Sequence, residues 1–411
     1  MEMRKLLSGE LGRGTIILFL TMNFVNFLNF LIHFSMGRML GPEDYGVFAV
    51  LMSMIFIYNI PTEAIQNIIS RYTSTFNLKE QKGKIKFLMR TSLKKGFVFS
   101  CLAFAVSMIL ALFLSKFLKI NFWLILITNI TIFASFSSPI TRGVLQGRKK
   151  FGSLGNSLLI ASTLKLFFAV SLVILGFKVF GAITGTVVGI FAGLVFSFYF
   201  NKDILSIKEE KTSFDRIYSK SIPYFNAMFA ILLMFSLDII FAKRFFSAEL
   251  AGKYAVLSMI GKIIFLGTIA VGTAMFPLTS EKSDTKKDSS GLFKKSLLIV
   301  ILLCIIAVII YALFPELIIK ILYGSKYIDM APYLIYSGIA FSFLSLSNLV
   351  LIYGLSMNRL RKSMYLFIFL GIEIVLFYLF HKTILEYILA FMVSNIIMFI
   401  GSLFFIRLKR N

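Results

Sequence analysis

The stretch "GRMLGPEDYGVFAVL" at residues 37–51 returns without a gap as "KRFFSAELAGKYAVL" at residues 243–257, an offset of 206. The copies share Arg38/Arg244, Glu43/Glu249, Gly46/Gly252 and the run Ala49-Val50-Leu51/Ala255-Val256-Leu257, with Phe48/Tyr254 as a conservative match. The offset is half of the 411 residues, so the chain reads as two similar halves, 1–205 and 206–411. In each copy a pair of turn residues (Gly41-Pro42, Ser247-Ala248) precedes an acid that can cap a helix (Glu43, Glu249). A glycine that allows close packing follows (Gly46, Gly252). The residues alone describe a well-made hairpin; their duplication asks for more.

Composition supplies the setting. Apolar residues make up 58% of the chain and charged residues 15%, with a mean hydropathy of +0.88. Soluble domains are nearer half apolar and a quarter charged, so the chain is an integral membrane protein. The two cysteines, Cys101 and Cys304, lie in apolar runs and form neither a disulfide framework nor a metal motif. His33 and His381 are isolated, so neither a metal site nor any cofactor is expected.

Crossing a bilayer takes roughly 20 helical residues. Runs of that kind fall at residues 15–35, 45–69, 96–114, 121–140, 154–176 and 179–200, then at 222–242, 254–277, 296–314, 331–352, 363–380 and 384–405. The expected fold is therefore all-α, with twelve transmembrane helices in two six-helix bundles. Helices are the expected spanning element because lipid offers no partner to unpaired backbone groups. An even number of spans per half brings both halves in and out on one side. Their pseudo-two-fold axis then lies along the membrane normal, as in parallel-repeat transporters. No cleavable signal pattern precedes the first run.

The formal net charge of +24 follows that topology. Of the 43 Lys and Arg, 31 fall at the termini and in alternate loops at 71–95, 142–150, 202–220, 282–295 and 359–362; two, Lys165 and Lys262, lie inside spans. The positive-inside rule places both termini and these loops in the cytoplasm, with anionic lipids of the cell membrane as neighbours. No basic stripe interleaved with exposed aromatics points to nucleic acid. In the sixth run Gly181, Gly185, Gly189 and Gly193 recur every four residues, a small-residue stripe suited to helix packing.

The repeated stretch, "ITRGVLQGRKKFG" at 140–152, "SLDIIFAKRFFSAELAGKYAVLSMIGKI" at 236–263 and "FPLTSE" at 276–281 together resemble the polysaccharide-exporter branch of the multidrug/oligosaccharidyl-lipid/polysaccharide (MOP) superfamily. The resemblance covers nearly the whole chain. It implies a flippase that carries a lipid-linked oligosaccharide, on undecaprenyl- or dolichyl-pyrophosphate, from the inner to the outer leaflet by alternating access. A monomer coupled to H⁺ or Na⁺ fits such a reading.

Such work needs cations for the diphosphate, and charged groups within or at the edges of the spans are the places to look, because each costs a few kcal/mol or more to hold in the membrane. The cation candidates are Lys165, Lys262, Arg71 and Arg142; Asp238, Glu63 and Glu373 are candidates for ion coupling or gating. Lys262 lies eight residues inside its helix, about 12 Å, and Asp238 about 6 Å inside its own, so the lysine can reach the aspartate. That pair either sets helix register or serves transport. Lys165, near mid-membrane, either snorkels along a wall or lines a cavity. Arg71 and Arg142 are interfacial anchors or phosphate ligands. Glu63 follows Pro61, which predicts a kink that is structural or a gate.

The alternative within the same fold is a multidrug cation antiporter, which would draw on the few acids in the spans. An enzyme is not expected: the longest outer loop, at 315–330, is short, and a Gly-rich phosphate loop is missing.

Overall fold

A computed structural model of the chain describes residues 10–212, 222–284, 288–357 and 363–407. Both ends, and the parts of the basic loops at 213–221, 285–287 and 358–362, lie outside the described residues. Every regular element among those described is helical. In order they are α1 (Glu10–Tyr58), α2 (Ile60–Leu78), α3 (Lys82–Leu118), α4 (Phe122–Asn129), α5 (Thr131–Gly147), α6 (Phe151–Leu172) and α7 (Lys178–Tyr199). After a single turn at Lys202–Leu205 come α8 (Ile222–Phe245), α9 (Ala248–Asp284), α10 (Ser290–Leu313), α11 (Pro315–Leu322), α12 (Leu334–Ser356), α13 (Leu366–Leu379) and α14 (Ile384–Arg407).

Nine segments among the described residues are long and apolar enough to span a membrane. Two of them contain a break at a positive-φ glycine, Leu20–Leu78 at Gly41 (φ 75) and Phe151–Tyr199 at Gly176 (φ 91). Glycine serves there because a Cβ makes that backbone region costly. Divided at these breaks and taken with the shorter apolar helix Ser363–Leu379, the segments correspond one for one to the runs read from the sequence. The protein is a multi-pass membrane protein.

Three departures from the expected runs have local causes. The run at 45–69 is interrupted at Asn59, and α2 restarts with Pro61 in its first turn, where a backbone N–H would be unpaired anyway. The run at 121–140 is divided between α4, capped by Asn121 accepting from the Trp123 amide (2.9 Å), and α5. The outer stretch at 315–330 is no plain loop. Pro315 opens α11, a 3₁₀ turn follows at Ser325–Tyr333, and Tyr323 and Tyr327 are buried.

The chain gathers into two compact units. The first comprises Met1–Leu40 and Met54–Ser219. Its α6–α7 hairpin is built on the glycine stripe: a Cβ on Gly181, Gly185 or Gly189 would lie 2.8 Å from Leu172 Cβ, 2.2 Å from the Ala169 nitrogen or 2.4 Å from the Lys165 nitrogen. α2 and α5 approach in the same way, with Gly147 facing the Ser70 carbonyl. At the basic end of this unit Ile69, Ile85, Leu88, Met89, Ile140, Val144 and Ile204 form an apolar cluster. Lys86 donates to the carbonyls of Leu205 (2.6 Å) and Ile207 (2.7 Å) above it. Asp203 is bound by Arg148 and by Lys150 (2.9 Å).

The second unit comprises Gly41–Ser53 and Lys220–Asn411, so it holds both copies of the repeated stretch. The matched glycines meet: a Cβ on Gly46 would lie 2.9 Å from Gly252 Cα, and one on Gly252 would lie 1.7 Å from the Pro42 carbonyl oxygen. Val50, Leu51, Val256 and Leu257 are completely buried. Tyr45 donates to Tyr323 (3.3 Å) and packs edge-on against Tyr327. In the second copy the turn residue Ser247, and not the expected cap Glu249, accepts from the Leu250 amide (3.3 Å). Glu249 instead pairs with Lys253 (2.8 Å), which also binds Asp329 (2.7 Å).

Two expectations follow. Gly252→Ala drives a methyl into the Pro42 carbonyl and lowers the unfolding temperature in detergent by a cost of about 1–3 kcal/mol; Gly267→Ala, at a position with open space around it, leaves it unchanged. Hydrogen bonds from Arg148 hold the Asp203 carboxyl well below the usual carboxylate range. A depressed folded-state value stabilises above the unfolded one, near pH 4, and that stability is lost as pH falls further. Solvent screening at this half-exposed side chain limits the effect to about 1 kcal/mol. The stability gap between wild type and Asp203→Asn should therefore narrow progressively below about pH 4.

Candidate functional site

Five of the seven charged residues singled out fall into two clusters, one in each unit. In the first unit α5 supplies Arg142 and α6 supplies Lys165. The stripe on α7 seats both: Gly189 lies against the backbone of Lys165, and a Cβ on Gly193 would stand 3.1 Å from the Arg142 guanidinium. Lys165 donates a short hydrogen bond to the amide oxygen of Asn29 on α1. Arg142 is the charged group that acts on Lys165, and its Nε has no hydrogen-bond partner among the described residues. Among the described residues no carboxylate forms an ion pair with either one, and both are half-buried. Two adjacent cations, one offering a planar fork of donors and the other a flexible ammonium, have the donor set that binding of a multiply charged oxyanion requires.

In the second unit Asp238 on α8 and Lys262 on α9 form the ion pair that their depths allowed, at 3.3 Å and almost wholly buried. The aspartate accepts further bonds from Tyr254 (3.3 Å) and, at shorter distance, Ser258. Tyr387 of α14 donates to the Asp238 backbone carbonyl (2.6 Å). The lysine sits over the rings of Phe235 (4.7 Å) and Phe341 (5.8 Å). Both ions are thus enclosed, and the bonds to the carboxylate offset part of their desolvation. Glu373 on α13 is buried close enough for its charge to act on both Asp238 and Lys262.

Arg71 and Glu63 stand apart from both clusters. Each is exposed on α2, Glu63 in the first turn, where the helix dipole favours an acid. Sequence reading passed over Asn29, Tyr254, Ser258 and Tyr387. For Tyr254 and Ser258 a signal existed, because with Lys262 they recur every four residues and so share one helix face. Asn29 and Tyr387 come from distant helices and carry no such mark. An apolar groove of about 370 Å³ lined by Ala270, Met275, Leu278, Leu292 and Ile299, among others, has no charged side chain to hold a phosphate.

Comparison with known proteins bears on what such clusters serve. Residues 35–332 match the family described as "Polysaccharide biosynthesis protein", which is well over half of the chain. The chain belongs to that family. It is also similar to a putative O-antigen transporter of Shigella flexneri, 25% identical over 310 residues, covering 71% of this chain and 72% of that one. In fold it resembles a multidrug resistance MATE family transporter of the MOP superfamily in an inward-facing conformation. There the TM-score is 0.75 at 14% identity, over 92% of this chain and 94% of that one. A MOP superfamily transporter from Pyrococcus furiosus, reported with a binding pocket of reverse polarity, matches with a TM-score of 0.70 at 16% identity, over 98% and 97%. This member of a polysaccharide biosynthesis family therefore has the fold of MOP superfamily transporters.

Gly189→Ala should push α6 from α7 at the level of Lys165, with a cost of about 1–3 kcal/mol read as a lower unfolding temperature. Gly152→Ala, at the start of α6 with open space around it, should leave that temperature unchanged.

Proposed function

We propose that this exporter flips a lipid-linked oligosaccharide, a polyprenyl-pyrophosphate sugar unit, across the cytoplasmic membrane by alternating access. Arg142 and Lys165 receive the diphosphate, the termini face the cytoplasm, and a proton or sodium gradient drives the cycle. The single observation that carries this reading is the pair of neighbouring cations in the first unit with no ion-paired carboxylate. Membership of a polysaccharide biosynthesis family and likeness to an O-antigen transporter support a substrate that ends in sugar. Lys262 is assigned to its aspartate rather than to substrate, since its charge is already matched. Of the acids a multidrug reading would draw on, Asp238 is paired with Lys262, Glu373 is buried beside that pair and Glu63 is exposed at the start of α2.

Reconstituted vesicles carrying a labelled polyprenyl-diphosphate oligosaccharide test the proposal. Wild type should expose label added to one leaflet on the other. Hydrogen bonds to charged groups are worth about 1.5–3 kcal/mol each, so the double variant Arg142→Gln/Lys165→Met should slow transport at least about tenfold. Arg71→Gln should not. Undiminished transport by the double variant, or movement of a hydrophobic cation in place of the glycolipid, overturns the reading.

A further inference from the structure

Glu373 poses a problem of charge that the cations of the first unit do not address. It is fully buried on α13, and neither carboxylate oxygen has a hydrogen-bond partner among the described residues. An ionised carboxylate in that state is costly by several kcal/mol. Its neighbours do not relieve it as they stand. Asp238 from α8 already accepts from Tyr254 and Ser258 and pairs with Lys262, while Tyr387 from α14 donates to the Asp238 backbone. The adjoining turn of α13 adds only Phe377, stacked on Tyr387 at 4.5 Å, and His381 beyond the helix end stacks on Phe245 (4.2 Å).

The charges of two carboxyl groups thus act on one ammonium, which Asp238 alone contacts. With both ionised, the cluster would carry a net negative charge inside a low-dielectric bundle. The ammonium is not saturated: one carboxylate oxygen binds it, and the faces of Phe235 and Phe341 lie beside it. A metal ion would be a second way to balance the charge, but the lysine already provides the compact cation next to Asp238.

We propose that Asp238, Lys262 and Glu373 form one site that binds a single exchangeable proton, carried by Glu373, with Lys262 in the place a metal cation would take. In the closed state the site is neutral: one aspartate, one lysinium, one carboxylic acid. When water reaches it, the O–H bond of Glu373 breaks, the bonding pair stays on the carboxylate and the proton leaves to water. The lysine then serves two carboxylates until a proton returns. Use of this exchange to drive export rests on the flippase reading; the proton count does not.

Infrared difference spectroscopy on the full-length protein in lipid nanodiscs, without substrate, reads the count through the carbonyl stretch of protonated carboxylic acids at neutral pH. Wild type should show a band that moves on carbon-13 labelling of glutamate and not of aspartate, and that sodium leaves unchanged. Glu373→Gln should abolish it. Asp238→Asn should abolish it too, because Lys262 then pairs with an ionised Glu373. A role for Glu373 that is only structural would leave the band intact in Asp238→Asn. If a variant fails to insert, the labelling of wild type still decides. Absence of a glutamate band, its survival in either variant, or its loss on adding sodium chloride overturns the proposal. Failure of glycolipid transport with the band present would sink the flippase reading alone.

Discussion

Backbone-to-backbone contact at glycine is the constraint on which this protein depends. Lipid tails are as apolar as leucine, so helices in a membrane gain little by merely hiding apolar side chains from their surroundings. Association relies on close packing and on polar contacts instead. Contacts of this kind recur at several helix pairs. Gly185 meets the Ala169 nitrogen, Gly147 the Ser70 carbonyl, Gly252 the Pro42 carbonyl. The repeated stretch makes sense in these terms, because its two copies bring their matched glycines against each other inside one unit. A duplicated turn and glycine produce a surface that fits its own copy.

The duplication extends to the scaffold and not to the chemistry. Carried on without a gap, the repeat sets Ile32 and Phe56 opposite Asp238 and Lys262, and Ile32 is fully buried. The first unit instead carries Arg142 and Lys165, brought together by the α6–α7 hairpin and α5 with an amide, Asn29, as the neutral partner. The second unit carries two acids around one lysine. The two clusters thus differ in charge, one cationic and the other a buried ion pair with an acid beside it, a difference that a simple repeat would not provide.

Much of this was legible in residue patterns. Length and hydropathy of the runs give the spans because backbone hydrogen bonding in lipid leaves few alternatives. The Asp238–Lys262 pair followed from depth along two helices, a one-dimensional quantity that needs no knowledge of packing. The glycine stripe read correctly as a packing surface. Its consequence did not: that the residues packed onto it are Lys165 and, through its guanidinium, Arg142. Residues 315–330 read as a loop because short segments carry little periodicity, and burial of Tyr323 and Tyr327 is decided by what packs against them.

By itself, then, the amino-acid sequence determined that the chain spans a membrane as a duplicated set of helices, since these depend on local hydrophobicity and on spacing along one strand of chain. Which charges become neighbours was decided only by tertiary structure. Arg142 and Lys165 sit on different helices, as do Asp238, Lys262 and Glu373, and electrostatic work depends on distances through space and on burial, neither of which is written in any one segment.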